Sequence, residues 1–121
     1  NDEMANNRTE SKYLDSVCTD FVNTIDFIFK NFGEEAFYNL QNDLQKIRKR
    51  LYPTVYDSLM IATSIALSRG FNPEGIDLKE RRMAMLKDEA YRESITQGTM
   101  TVEHIRTRIQ RALKIVYEID L

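Results

Sequence analysis

The sequence predicts an all-α domain, a compact bundle-like array of five to six helices around a central apolar helix at about residues 55–69. Apolar residues make up 42% and charged residues 30% of the 121 residues, which is typical of a globular chain and not of a disordered one. Four glycines and two prolines are too few for the tight turns of an all-β chain. Apolar residues also recur at helical spacing along most of the chain.

The organisation of the chain is simple. Residues 1–10 are polar and non-periodic, so we expect a disordered linker or a cloning remnant before a single helical domain at 11–121. Cys18 is the only cysteine, which excludes an internal disulfide and favours a cytoplasmic protein. The longest uncharged stretch, 58–68, is too short to span a bilayer, and no signal peptide opens the sequence.

The first helix is predicted at about 11–31, followed by Gly33 where a C-terminal cap belongs. Phe27 falls off its apolar stripe, so it either packs on another segment of the chain or is an exposed anchor for a partner. We expect the stripe itself to face the core. Its members are Leu14, Val17, Cys18, Phe21, Val22, Ile25, Ile28, Phe29 and Phe32.

A second helix is predicted over 34–52, again from the spacing of its apolar residues, and Pro53 should end it. Thr54 can cap the next helix, 55–69, which Gly70 closes. Apolar residues cover nearly the whole circumference of this helix, and such a helix must be surrounded by other parts of a protein. We therefore expect it to be the central helix.

The remaining helices follow a loop around residue 72. Asp77 is expected to cap a helix that runs to about residue 87, and a short helix follows at 88–95. After a turn, Thr101 is a suitable cap for the last helix, 102–118, whose apolar residues lie within one narrow arc.

The sequence offers little material for catalysis. A histidine-based triad would depend on His104, which has no serine or cysteine near it in sequence. Metal sites usually need several histidines or cysteines at short spacing. Glu74, Asp77 and Lys79 superficially suggest a nuclease-like acidic pair, but capping is a sufficient role for Asp77. The glycines are isolated, so there is no phosphate-binding loop. We expect no catalytic site, no metal and no cofactor.

Two basic clusters could contact phosphates of a nucleic acid, although cations on an exposed helix are more often simply solvated. The net charge of −2 offers no general attraction to nucleic acid. The first cluster consists of Lys46, Arg48, Lys49 and Arg50. The second lies on the outer face of the last helix and consists of Arg106, Arg111 and Lys114.

One pair of opposite charges is expected to connect two helices. Asp57 lies on the otherwise apolar central helix, and Arg108 borders the apolar stripe of the last helix. A carboxylate that is buried needs a partner. We therefore predict that Asp57 and Arg108 approach each other and hold the two helices together.

Two segments of the second half together resemble a known family. The stretch VYDSLMIATSIAL at 55–67, followed about twenty residues later by DEAYRESITQGTMTVEHIRTRIQRALKIV at 88–116, is similar to the C-terminal helical region of GmrSD-type bacterial defence proteins. The elements that carry the resemblance are Tyr56-Asp57-Ser58-Leu59, a short helix at 89–95, the turn at 96–101, and Arg108-Ile109.

The resemblance implies a non-catalytic helical region that packs against, positions or regulates an N-terminal domain. In the family that domain is ParB/sulfiredoxin-like and carries a DGQQR motif, which is absent from this sequence, so cleavage of modified DNA is not carried over to any residue here. The expected partner is therefore a protein or such a domain, with nucleic acid as a further expectation and no membrane. The alternative is a free-standing helical regulator: an antitoxin, an immunity protein or a small DNA-binding factor.

Overall fold

A computed structural model describes the backbone of residues 2–41 and 44–121, and the side chains of residues 9–41 and 44–121. The chain is mostly helical, which confirms the main prediction, but it also contains a two-stranded sheet, so the strictly all-α assignment is wrong. The elements, in chain order, are α1 (Asp2–Phe32), β1 (Tyr38–Leu40), β2 (Ile47–Leu51), α2 (Pro53–Ser68), α3 (Leu78–Lys87), α4 (Glu89–Thr96), α5 (Val102–Ala112) and a π-helical turn (Leu113–Tyr117).

The helix predicted over 34–52 is wrong, because this segment forms an antiparallel hairpin. Gly33 takes a left-handed φ of +80° and ends α1. Strands β1 and β2 then pair with Tyr38 opposite Leu51 and Leu40 opposite Ile47. Leu44 between them has a φ of 58°, a backbone conformation that the interior of a right-handed helix excludes. The helical spacing of the apolar residues in this segment was therefore coincidental.

Arg82 of α3 holds the turn that precedes β1. Its Nη1 donates hydrogen bonds to the carbonyl oxygens of Glu35, at 2.8 Å, and of Tyr38, at 3.4 Å. The Arg82 side chain is buried, and desolvation lowers its pKa. The carbonyl groups of a helix would be occupied by its own amides, whereas those of this turn are bonded by a residue far along the chain. The hairpin thus depends on tertiary contacts.

Helix α2 forms the centre of the core, but one of its faces is open. Val55, Leu59, Ala62 and Ala66 are fully buried, and α2 packs against α1, α5, β1 and the π-helical turn. In contrast, Ile61 is 43% exposed. The expectation that this apolar helix is surrounded on all sides therefore holds for most of its circumference and fails on the face that carries Ile61.

Helix α1 begins at Asp2 and extends well before the predicted start at residue 11. Residues 2–10, which we expected to be disordered, are thus helical; whether they act as a linker stays a prediction. Only the second half of α1 packs into the domain, where Thr24, Ile28 and Phe32 are buried against α2 and α3. From residue 9 to residue 23 every described side chain of α1 is exposed. The prediction that the whole stripe faces the core is wrong for this half.

Phe27 packs within the chain. Its ring is half-buried and meets Phe71 edge to face, with 6.5 Å between the ring centroids. Of the two alternatives that the sequence left open, packing on another segment is the one observed, because the loop after α2 folds back towards α1.

Caps account for most of the helix starts. Asp77 accepts a hydrogen bond from the Glu80 amide, and Thr101 accepts one from the His104 amide, as predicted. Thr54 does not cap α2, which begins at Pro53, where the missing amide hydrogen is tolerated. Its hydroxyl instead donates to the Ile95 carbonyl at 2.9 Å and connects α2 to α4. In the part of the chain that the structure describes, no helix combines the length and the apolar character needed to cross a membrane.

Candidate interaction surface

An open groove of about 490 Å³ lies between α1 and α2. Most of its lining is apolar because the uncovered face of α2 lies beside the exposed half of α1. The apolar lining residues are Val17, Phe21, Tyr56, Met60, Ile61 and Ile65, and the polar ones are Asp20, Thr24, Asp57 and Ser64. Its volume is in the range of ligand pockets, but it is open to solvent, and its walls are two helices. A shape of this kind suits a helix better than an enclosed small molecule.

The apolar surface continues from the groove along the first half of α1. We call these exposed residues the α1 stripe: Tyr13, Leu14, Val17, Phe21 and Val22. Their exposed fractions lie between 45% and 69%. Single exposed apolar residues are ordinary, but a contiguous set of large ones marks an interaction site in most soluble proteins. Sequence reasoning identified all of these residues except Tyr13 as an apolar stripe and assigned that stripe to the core.

The predicted pair of Asp57 and Arg108 lies at one side of the groove. Arg108 donates from Nε to Oδ1 of Asp57 at 3.0 Å and from Nη2 to Oδ2 at 2.9 Å. The Arg108 side chain is only 3% exposed, whereas that of Asp57 is 41% exposed. Nη1 of Arg108 also donates to the Thr99 carbonyl at 2.6 Å. The guanidinium therefore joins α2, α5 and the α4–α5 turn, and it occupies both oxygens of the carboxylate that borders the groove.

Two hydroxyl pairs bury polar atoms of α2 behind the groove. Ser58 and Tyr91 are joined at 2.6 Å between their hydroxyl oxygens, and Thr63 and Tyr117 are joined at the same distance. Burial raises the pKa of both tyrosines, so both remain neutral at physiological pH. These contacts are structural. The sequence signal for them is weak, because Ser58 and Thr63 are only two of several small polar residues on α2 and nothing in their spacing sets them apart.

The first basic cluster lies on and just before β2, not on a helix. Because successive side chains of a strand point to opposite faces, Arg48 and Arg50 share one face and Lys49 points to the other. Within the described part of the chain, none of these three residues forms an ion pair. The predicted cluster is therefore divided between two surfaces, and Arg48, Lys49 and Arg50 are not neutralised by any carboxylate among the described residues.

The second basic cluster is largely occupied by carboxylates. Arg111 donates two hydrogen bonds to Asp88, at 2.8 and 3.1 Å, and Lys114 donates to Asp120 at 2.9 Å. The hydrogen bond from Arg111 is the main reason that the pKa of Asp88 lies below its usual value. Arg106 is exposed on α5. Pairing with carboxylates makes this face a weaker candidate for phosphate contact than β2.

His104 has a structural contact in the α4–α5 turn. Its Nδ1 lies 2.9 Å from the carbonyl oxygen of Gly98 and so acts as the donor. Gly98 has a φ of +52°, and a Cβ added there would come within 3.1 Å of the His104 ring, so both φ and space favour glycine. Among the residues with described side chains, no three histidine, cysteine or acidic residues cluster as metal ligands would.

No protein-family model matches this chain, and neither a curated protein nor a solved structure is significantly similar to it.

Proposed function

We propose that this protein is a non-catalytic helical domain that acts by binding another polypeptide, and that the α1 stripe and the groove receive an apolar helix. The observation that carries the proposal is that two apolar faces, one on α1 and one on α2, are left open side by side. Burial of such surface is the main favourable term in most protein association. Helix-in-groove binding uses a site of this shape.

The residue types on the uncovered face of α2 also support the proposal. A helix that is apolar nearly all round is normally enclosed by protein. Val55 and Leu59 are enclosed by the chain itself, but Ile61 is not, and Met60 and Ile65 beside it are only half-buried. The residue types on this face are those of a buried interface, so the missing cover is best supplied by a binding partner.

The resemblance to GmrSD-type defence proteins is compatible with this role. In that case the domain is the C-terminal helical part of a modification-dependent restriction or anti-phage protein, and it acts in the cytoplasm by contacting an N-terminal domain. The alternative, a free-standing regulator such as an antitoxin or an immunity protein, uses the same surface to bind its target. The two proposals name different partners, but both assign binding to the α1 stripe and the groove.

Site-specific photo-crosslinking tests the face directly. Benzoylphenylalanine at Val17, on the α1 stripe, should yield an adduct in native host cells. The same probe at Asn23, exposed on the opposite face of α1, should not. Peptide mass spectrometry then identifies the attached residue. An adduct with an apolar helix face from Val17 alone supports the proposal; no adduct, or equal adducts from both positions, contradicts it.

Contact with DNA is a second proposal, supported by the cations of β2, which form no ion pair with the described residues, since a two-stranded ribbon can enter the major groove. Changing Arg48, Lys49 and Arg50 together to glutamine is expected to remove most of any binding to duplex DNA, and Arg106→Gln to change it less. Fluorescence anisotropy at two salt concentrations measures this, because phosphate contacts weaken steeply with salt. Absence of binding at low salt would exclude DNA as a partner.

A further inference from the structure

We infer that the helix that fills the groove is α1 of a second copy of this chain, so that two copies pair through antiparallel α1 helices. The inference rests on the proposed function and names its partner. The helix and the groove that would receive it lie on the same chain and share Val17 and Phe21. A two-fold interface requires this kind of self-complementary surface, in which each copy offers both parts.

The spacing of residues on α1 fits helix pairing. Leu14, Val17, Phe21, Thr24 and Ile28 follow one another at alternating intervals of three and four residues, the repeat of a helix–helix seam. The last two are buried within the domain, whereas the first three are exposed. The seam is thus covered by the chain itself at one end and open at the other.

Antiparallel alignment gives well-matched layers. If Val17 of one copy lies opposite Phe21 of the other, the two layers on either side of the symmetry axis each combine a larger and a smaller exposed side chain. Interfaces and cores pack best when large and small residues alternate across facing positions. Parallel alignment would instead place Phe21 against Phe21 and Val17 against Val17.

The exposed area suits a dimer. An aromatic side chain presents about 150–250 Å² when fully exposed, so the half-exposed α1 stripe and the α2 wall of the groove together offer on the order of 600 Å² of apolar surface per copy. A specific interface buries about 800 Å² per partner, with polar atoms included at its rim. The apolar surface alone therefore supplies most of a standard interface.

The alignment also brings like charges together. Asp20 lines the groove, and in the antiparallel pair the two Asp20 side chains flank the symmetry axis. Their repulsion opposes dimerisation and is screened by salt. The dimer should therefore tighten as ionic strength rises, in contrast to an interface held together by ion pairs.

Sedimentation equilibrium of the full chain at roughly 0.1–0.5 mM, a range that detects weak dimers, tests the inference. The mass should be twice that of the 14.2 kDa chain. Phe21→Glu should give monomers with an unchanged circular dichroism spectrum and with the melting temperature of the wild type diluted to monomer, because Phe21 is 47% exposed and dimerisation itself adds stability. Asp20→Asn should tighten the dimer about two- to fivefold at low salt. A monomeric wild type, or a Phe21→Glu chain that dimerises equally well, would overturn the inference.

Spin labels establish the orientation. Cys18 is exposed and unpaired, and antiparallel pairing puts the two labels at this position close together along the axis. In a Cys18→Ser chain, a label at Ser11→Cys should lie roughly 24 Å along the axis from its counterpart. Dipolar broadening at position 18 without broadening at position 11 is expected; broadening at both would contradict the antiparallel pair.

The dimer and the proposed function can fail separately. If the protein is a monomer that still forms a Val17 adduct with a different protein, the dimer is wrong and the proposed function stands. If the protein is a monomer and no adduct forms, both are wrong.

Discussion

Substitution of Leu59 by alanine is expected to lower the free energy of unfolding by about 2–5 kcal/mol, the usual range for a leucine removed from a packed core. Leu59 is fully buried, and it lies on the face of α2 that packs against the rest of the domain. The substitution removes its apolar contacts and leaves a cavity that the neighbouring helices can fill only in part. Urea denaturation followed by circular dichroism measures the loss.

Ile61→Ala is the matched control on the same helix. Ile61 is 43% exposed and lines the groove, so its truncation should cost about 1 kcal/mol or less in the isolated domain. Alanine also has a higher helix propensity than isoleucine, which offsets part of the loss. Equal losses at positions 59 and 61 would mean that the face we describe as open is covered in solution. If a second copy is what covers this face, the loss at position 61 should fall again when the protein is diluted until it is monomeric.

Asp57→Asn is expected to destabilise the domain by about 2–3 kcal/mol, and Arg108→Gln by a similar or larger amount, near the lower limit for breaking a buried ion pair. The reason is the asymmetry of the pair. Arg108 is 3% exposed and would keep a buried charge without its counter-ion, whereas Asp57 is 41% exposed and partly hydrated already. Replacement of Arg108 also weakens the donor to the Thr99 carbonyl. A melting temperature lower by roughly 10 °C is expected for either variant.

The exposed ion pair between Lys114 and Asp120 provides the control. Its side chains are 55% and 78% exposed, so Lys114→Gln should change stability by no more than about 0.5 kcal/mol. A double-mutant cycle over Asp57 and Arg108 then isolates their interaction from the cost of each single change. An unchanged melting temperature in both single variants would show that this pair does not hold α2 and α5 together.

The sequence predicted the candidate pair but not the candidate surface. Asp57 and Arg108 stood out because each carries a charge on or beside an apolar face, and a buried charge needs a partner. The α1 stripe was visible in the same way, as apolar residues at helical spacing. Periodicity reports that a face is apolar and does not report what covers it. Leu14 and Ile28 follow the same pattern, yet only Ile28 lies within the domain.

The hairpin shows a different limit. Phe37, Leu40 and Leu44 have the spacing of a helix, and nothing in the local sequence excludes one. The turn before β1 is stabilised by Arg82, more than forty residues further along the chain. Local propensity is a weak preference that tertiary contacts override. Hydrogen bonds to the Glu35 and Tyr38 carbonyls could not be inferred from the segment itself.

By itself the sequence determined what depends on neighbouring residues: the capped starts of α3 at Asp77 and of α5 at Thr101, and an apolar α2 that contributes to the core. These features follow from side chains that satisfy nearby amides and from apolar residues one helical turn apart. The helix predicted over 102–118 is α-helical only to Ala112 and continues as the π-helical turn. Tertiary structure alone decided that Tyr38–Leu40 and Ile47–Leu51 form strands and that the first half of α1 lies outside the core. Both outcomes depend on which groups, distant in sequence, come close enough in space to form hydrogen bonds or to exclude water. The spacing of residues along the sequence does not report these distances in space.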